Sequence, residues 1–173
     1  ISLSSQTVVG AQALSGGTSN HGLDITPDGA TLLVGLGSGG GVRTLSAQSL
    51  APDRLIATSS GSSVVVASPD GRYGLAMGGG STVSVLDLQS WSVRQTVPGF
   101  SAPAEACFDD TGRYAFINGA AEPGMLYVLE MYDPPAQPSN VSPAAGATGV
   151  SLTPALQSSA FSDSDPGDTH AAS

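Results

Sequence analysis

A short turn motif recurs along this chain at an almost constant interval. Its three copies are Thr26-Pro27-Asp28-Gly29, Ser68-Pro69-Asp70-Gly71 and Asp109-Asp110-Thr111-Gly112. The last glycines of these copies are 42 and 41 residues apart. An internal repeat of this length indicates an array of similar structural units, and it constrains the fold more than any other feature of the sequence.

The middle copy shows what one unit contains. Four short apolar segments follow one another, at residues 63–67, 73–77, 82–86 and 92–97, and turn residues separate them. Valine-rich segments of this length, bounded by Gly, Pro, Asp and Ser, favour β-strands. Asp70 is expected to accept hydrogen bonds from nearby backbone, and Gly71 to adopt a positive φ. Four strands in about 42 residues are typical of one propeller blade.

The flanking units repeat this arrangement. Strands are predicted at 21–25, 31–34, 42–45 and 54–58 before the middle unit, and at 104–108, 114–118 and 125–130 after it. Proline takes over from Pro134, so the last unit has no obvious fourth strand. Residues 1–9 align with residues 86–94, which predicts a fourth strand at 7–12. We therefore divide residues 1–131 into a partial first blade (1–20) and blades 21–62, 63–103 and 104–131.

Composition agrees with an all-β fold. The chain has 23 Gly, 12 Pro and only 11% charged residues, a mixture that suits short strands and many turns. The net charge is −9, and the five basic residues are scattered arginines. Such a surface argues against nucleic acid as a partner. No apolar run approaches the roughly 18 residues of a membrane span, so none is predicted.

The single cysteine and the recurring aspartates could be functional residues, but we predict a structural role for both. The single cysteine, Cys107, lies in the apolar segment 104–108, and we predict a small buried hydrophobic residue there and not a reactive thiol. Asp28, Asp70 and Asp110 recur with the repeat, and we predict that each caps its own turn. No catalytic residue is predicted.

The residues of the repeat resemble a known family. The segments Ser68-Pro69-Asp70-Gly71-Arg72-Tyr73 and Ser81-Thr82-Val83-Ser84-Val85-Leu86-Asp87 are similar to blades of the YVTN-type β-propeller repeat family. The resemblance covers roughly residues 1–131. It implies a partial β-propeller of four-stranded antiparallel blades, related in architecture to WD40 and lactonase-like propellers.

The sequence changes character after residue 131. Residues 132–139 are predicted as a proline-rich linker. Residues 140–173 resemble the start of a bacterial Ig-like or fibronectin-III-like β-sandwich. Asp163, Asp165 and Asp168 could present oxygen ligands to calcium, the one metal or cofactor that the sequence suggests. A solvated acidic turn is the favoured interpretation, because the rest of a calcium loop is missing.

These resemblances imply a non-catalytic, secreted or cell-surface structural and binding protein of a prokaryote. The blades would contact other proteins or surface glycans, and the Ig-like module would be a spacer. We expect a piece of a larger surface protein. One alternative is a subunit of an extracellular filament, self-assembled through open strand edges by strand exchange. The other is a lactonase-like or quinoprotein-type propeller enzyme, for which the sequence offers only His21 and His170 as histidine ligands.

Overall fold

A computed structural model describes residues 7–16, 22–59, 61–131, 136–160 and 162–163. The fold is all-β: these residues form thirteen strands and no helix. No helix among the described residues is therefore long and apolar enough to cross a membrane. The chain divides into two compact units, Ile1–Met131 and Tyr132–Ser173.

The first unit contains three antiparallel sheets in chain order, and none of them closes on itself. The first sheet consists of β1 (Leu23–Ile25), β2 (Thr31–Gly35), β3 (Val42–Ser46) and β4 (Pro52–Ile56). The second consists of β5 (Val64–Ala67), β6 (Tyr73–Met77), β7 (Thr82–Asp87) and β8 (Ser92–Pro98). The third has β9 (Pro103–Phe108), β10 (Tyr114–Gly119) and β11 (Met125–Glu130). In each sheet, strands that follow one another in sequence pair side by side.

The second unit has one small sheet within its described residues. Strand β12 (Asn140–Ser142) pairs with β13 (Gln157–Ser158) in antiparallel fashion. The pairing contains an irregularity between Asn140 and Ser142.

Most strands agree with the sequence prediction, and two predictions need correction. Strand β4 begins at Pro52 and not at Arg54, because the Ser46 N–H donates to the Ala51 carbonyl and closes a tight turn just before it. The strand predicted at 7–12 is wrong, since residues 7–16 form none. This segment instead places Leu14 on apolar side chains of the first sheet.

The first two turns of the repeat are closed by a hydroxyl and a carboxylate. Thr26 Oγ1 donates to Asp28 Oδ1 (2.5 Å) and accepts from the Thr31 N–H (3.0 Å). In the second turn, Ser68 Oγ bonds Asp70 Oδ1 (2.5 Å) and accepts from the Tyr73 N–H (2.9 Å). Asp28 Oδ1 and Asp70 Oδ1 also accept from the Ala30 and Arg72 N–H groups, both at 3.0 Å, so their predicted capping roles are confirmed.

The third turn uses the same two groups in exchanged positions. Thr111 Oγ1 donates to Asp109 Oδ2 (2.6 Å), and Asp109 Oδ1 accepts from the Tyr114 N–H (2.9 Å). The prediction that Asp110 caps this turn is wrong, because Asp109 and Thr111 accept the backbone N–H groups of Tyr114 and Arg113.

The core lies between successive sheets. The first sheet buries Leu33, Val42 and Ile56 against one face of the second sheet, and the second sheet contributes Val65, Ala76 and Leu86. The other face of the second sheet packs on the third through a cluster that includes Leu75, Met77, Val83, Val85, Ala115 and Ile117. Burying one such side chain contributes roughly 1.5–3 kcal/mol, so these two layers are the main source of stability.

Candidate interaction surface

The third sheet is covered on one face only. Ala115 and Ile117 of β10 are buried against the second sheet, so alternation turns Phe116 to the opposite face. Across the strands, Phe116 is opposite both Cys107 and Val128. The next row places Leu126 opposite Asn118, and Asn118 opposite Glu105. We call this face the outer face of the third sheet: Glu105, Cys107, Phe116, Asn118, Leu126, Val128.

Apolar side chains on the outer face of the third sheet are more exposed than the repeat predicts. Phe116, Leu126 and Val128 are 37%, 68% and 61% exposed. Phe116 stands four residues after its turn glycine, as Leu33 and Leu75 do, and both of those are fully buried against the following sheet. The third sheet therefore presents to solvent the face that the first two sheets bury.

The first sheet also presents an apolar face outward. Leu23 is 67% exposed and lies opposite Val34, which in turn lies opposite Arg43. Leu55, also exposed, follows in the same row across Arg43. Ile25 is exposed in the next row. We call this the outer face of the first sheet: Leu23, Ile25, Leu32, Val34, Arg43, Leu45, Leu55.

One segment of the chain covers part of the outer face of the first sheet. Leu14 packs with Val34, Leu36 and Leu45, and Arg43 Nη2 donates to the Ser15 carbonyl at 3.5 Å. Phe100 has a similar position between the second and third sheets, where its ring meets the Tyr127 ring edge-on at 5.0 Å. Phe100 lies within the layer between two packed sheets, so a loop side chain such as Leu14 can also lie on a sheet face that another sheet covers.

Strand β11 forms an edge of the third sheet. It pairs with β10 alone among the described residues, whereas β3 and β7 in the other sheets pair with a fourth strand. An edge of this kind offers backbone N–H and C=O groups to an additional strand.

A groove of about 610 Å³ runs where the first strands of the three sheets lie side by side. Its lining is mainly apolar, with Val66, Ala67 and Phe108 among the residues that form it. Asp24 also lines it, but Asp24 Oδ2 accepts a hydrogen bond from the Ala67 N–H (2.7 Å) and so joins the first sheet to the second.

Cys107 lines this groove and is exposed, so the prediction that it is a buried residue is wrong. Its neighbours Ala106 and Phe108 point towards the second sheet and pack on that cluster. Alternation therefore places the thiol on the outer face, which no described residue covers.

The turn carboxylates are held in the ionised form. The hydroxyl of Thr26 is the main cause that lowers the pKa of Asp28, and the hydroxyl of Thr111 has the same effect on the pKa of Asp109. The Ser90 N–H lowers the pKa of Asp87. A general acid needs a raised pKa, so these three carboxylates are suited to closing turns and not to donating protons.

The acidic residues predicted as calcium ligands are only partly described. Asp163 is half-buried in the second unit, whereas Asp165 and Asp168 lie outside the described residues, as do His21 and His170. Within the described part of the chain, no three His, Cys, Asp or Glu side chains form a group that could hold a metal ion. The calcium site stays a prediction.

Sequence reasoning did not single out Phe116, Leu126 and Val128. In the segment Met125–Glu130 nearly every residue is apolar, so alternation alone does not show which face is covered. A signal was nevertheless available, because counting from the turn glycine aligns Phe116 with Leu33 and Leu75.

Comparison with known proteins finds a similar fold but identifies no family. None of the family models and none of the curated proteins matches the sequence. Among solved structures, hydrazine synthase of Kuenenia stuttgartiensis is similar, with a TM-score of 0.63 and 18% sequence identity. The similarity covers 72% of this chain and 36% of that one, so this chain spans about a third of that protein's length. At this identity the likeness concerns the fold alone.

Proposed function

We propose that this chain is a non-catalytic, secreted or cell-surface structural and binding protein. Its three sheets are consecutive blades of a YVTN-type β-propeller, and its second unit is the start of an Ig-like spacer. Its partners are other proteins or surface glycans. The observation that carries the proposal is the outer face of the third sheet, an apolar surface at positions that the repeat otherwise buries.

The chemistry of this face suits a protein partner. Phe116 and Val128 lie in one row and Leu126 in the next, so their apolar surface is contiguous. Contiguous apolar patches bordered by polar groups mark interaction sites, because covering them removes apolar area from water. Glu105, Asn118 and Glu130 supply the polar border.

The free edge of β11 favours a second candidate, a subunit of an extracellular filament. A strand donated by another chain would complete the third sheet to four strands, as β4 and β8 complete the others. Backbone hydrogen bonds would supply the affinity, and the exposed Met125 and Val128 would supply side-chain contacts.

Two labelling experiments, each with one thiol per chain, test location and binding separately. For location, Val141→Cys in a Cys107→Ser background places one thiol on exposed strand β12. We expect a membrane-impermeant maleimide to label it on intact producing cells. Labelling only after lysis would refute a secreted or surface location.

For binding, the natural Cys107 serves as the probe of the outer face. We expect the maleimide to label it readily in dilute purified protein and several-fold more slowly on intact cells, where a partner covers it. The Val141→Cys thiol should react at the same rate in both samples. Equal rates at Cys107 in the two samples would contradict a binding role for this face.

A further inference from the structure

A cavity of about 420 Å³ lies between the first and second turns of the repeat, and we call it the turn cavity. Its lining includes Thr26 and Asp28 from the first turn, Asp70 and Gly71 from the second, and Gln89 and Trp91 from the connection between β7 and β8. We propose that the turn cavity binds the guanidinium group of an arginine side chain on a protein partner. The cavity shares no residue with the outer face of the third sheet, so this site is additional to the one proposed above.

Three side-chain oxygens in the turn cavity remain available as hydrogen-bond acceptors. Asp28 and Asp70 each use Oδ1 to close a turn, and neither Oδ2 accepts a hydrogen bond from another described residue. Gln89 Nε2 donates to the Gly71 carbonyl at 3.3 Å, which leaves Gln89 Oε1 without a donor in the described part of the chain. No Arg, Lys or His is among the described residues that line the cavity. A ligand with several donors and a positive charge would therefore complement it.

Trp91 adds an aromatic ring to the same cavity. The Arg54 guanidinium already lies over this ring, 5.5 Å from the ring centroid. Tyr73 shows that one ring of this protein can hold two such groups, since Arg72 and Arg94 lie 5.2 and 5.3 Å from its centroid. The negative face of an aromatic ring attracts cations, and arginine does so most often. A second guanidinium at Trp91 would repeat an arrangement that the second sheet already contains.

This combination of groups favours a guanidinium over other ligands. A guanidinium is flat and has five N–H donors and no acceptor, so it can bond to the three oxygens and also stack on an indole ring. A calcium ion takes about 6–8 oxygen ligands and gains nothing from an aromatic neighbour. A neutral sugar would leave the carboxylate charges uncompensated, and Asp28 is ionised at neutral pH because the Thr26 hydroxyl lowers its pKa.

The charge of the chain favours a basic partner as well. The net charge is −9, and arginine is the only basic residue besides two histidines. A negative protein with a negatively lined cavity attracts a positively charged partner and speeds its encounter. Salt screens this attraction, so binding should weaken as the ionic strength rises.

Fluorescence provides a direct test, because Trp91 is the only tryptophan of the chain. The peptide acetyl-Gly-Arg-Gly-amide is titrated into the full chain, and the same peptide with citrulline in place of arginine is the uncharged control. We expect a saturable change with the arginine peptide that weakens at high salt. The citrulline peptide should bind at least about fivefold more weakly, because it lacks the charge that strengthens hydrogen bonds to carboxylates.

Variants connect this signal to the turn cavity. Asp28→Asn retains an oxygen for the turn but removes the charge, and Gln89→Met removes the amide oxygen. Each should weaken binding of the arginine peptide at least about threefold. Asp109→Asn is the matched control, since it makes the same change in the third turn, away from the cavity, and should bind like the parent protein. Circular dichroism and the urea midpoint of each variant check that the fold is retained.

Three results would overturn the proposal: no saturable change with the arginine peptide, equal binding of the citrulline peptide, or normal binding by both cavity variants. A response to methyl glycosides or to calcium, in a chain that does not respond to the arginine peptide, would also overturn it and would identify a sugar or metal site. The rates of Cys107 labelling report on the outer face of the third sheet alone. Failure of the arginine site would therefore leave the binding role of that face standing.

Discussion

The turn of each repeat depends on a pair of chemical groups and not on fixed residues. A hydroxyl donates to a carboxylate in all three turns, and the group three positions before the glycine also accepts a backbone N–H. In the third turn the carboxylate and the hydroxyl have exchanged places, yet both bonds are made. Because either group can accept the N–H, the position three residues before the glycine can be occupied by Thr26, Ser68 or Asp109 in the three turns.

This pairing makes stability depend on pH in a defined direction. The pKa values of Asp28 and Asp109 lie below the ordinary value of 3.8, so the unfolded chain takes up protons at these sites before the folded chain does. Their contribution is complete well above that value and is lost as the pH falls from it through the lower pKa of the folded chain. We expect the urea midpoint to fall between about pH 5 and pH 3.

Substitution distinguishes the contribution of Asp28 and Asp109 to the pH dependence of stability from that of the other acidic residues. In the Asp28→Asn/Asp109→Asn double variant, the fall in the urea midpoint should be shallower, and the curves of variant and parent should converge at low pH. Asp53→Asn is the control, because Asp53 makes an exposed pair with Arg54 (2.7 Å) of the kind that contributes little. An unchanged slope in the double variant would contradict the role given to the turn carboxylates.

At the level of elements, the sequence predicted local features well and packing poorly. Strands such as Thr82–Asp87 follow from alternation and from the turn residues that bound them, which are properties of neighbouring residues. The exposure of Cys107 could not follow in this way, since it depends on whether another sheet covers the third one. Likewise, the alignment of residues 1–9 with residues 86–94 predicted a strand at 7–12, but a strand needs an adjacent edge to pair with.

Contacts between neighbouring turns give a further prediction at this scale. Gly29 and Gly112 both have positive φ, +70° and +77°. A Cβ on Gly29 would meet nothing within 4 Å, whereas one on Gly112 would stand 3.1 Å from Asp70 Cγ. Gly29→Ala should therefore cost about 1 kcal/mol from backbone strain alone. Gly112→Ala should cost about 1 kcal/mol more, because Asp70 must shift from its bonds to Ser68 Oγ and the Arg72 N–H.

Urea unfolding of both variants measures this difference. An Asp70→Ala background should remove most of the extra loss at Gly112 and leave the loss at Gly29 unchanged, since only the former involves the Asp70 side chain. Equal losses at the two glycines in the parent protein would show that the turns do not restrain each other.

At the scale of the whole molecule, the three apolar clusters determine which parts of the chain can be removed. All of them lie within the first unit, and the last residue to join one is Met131, whose N–H donates to the Arg113 carbonyl at 2.7 Å. None of the side chains in these clusters comes from the described residues after Met131. The stability of the sheets should therefore depend on the chain up to Met131 and little on the second unit.

Two shortened chains test this dependence. A chain of residues 1–131 should keep the parent β-sheet circular dichroism, with a Tm within about 4 °C, the shift that about 1 kcal/mol produces in a domain of this size. A chain ending at residue 124 lacks β11, and with it Tyr127, Leu129 and Met131 from the layer between the second and third sheets. Its Tm should fall by more than about 8 °C, because Ala115 and Ile117 lose much of their cover. If residues 1–131 unfolded as readily as residues 1–124, the second unit would have to stabilise the sheets, which would contradict their independence.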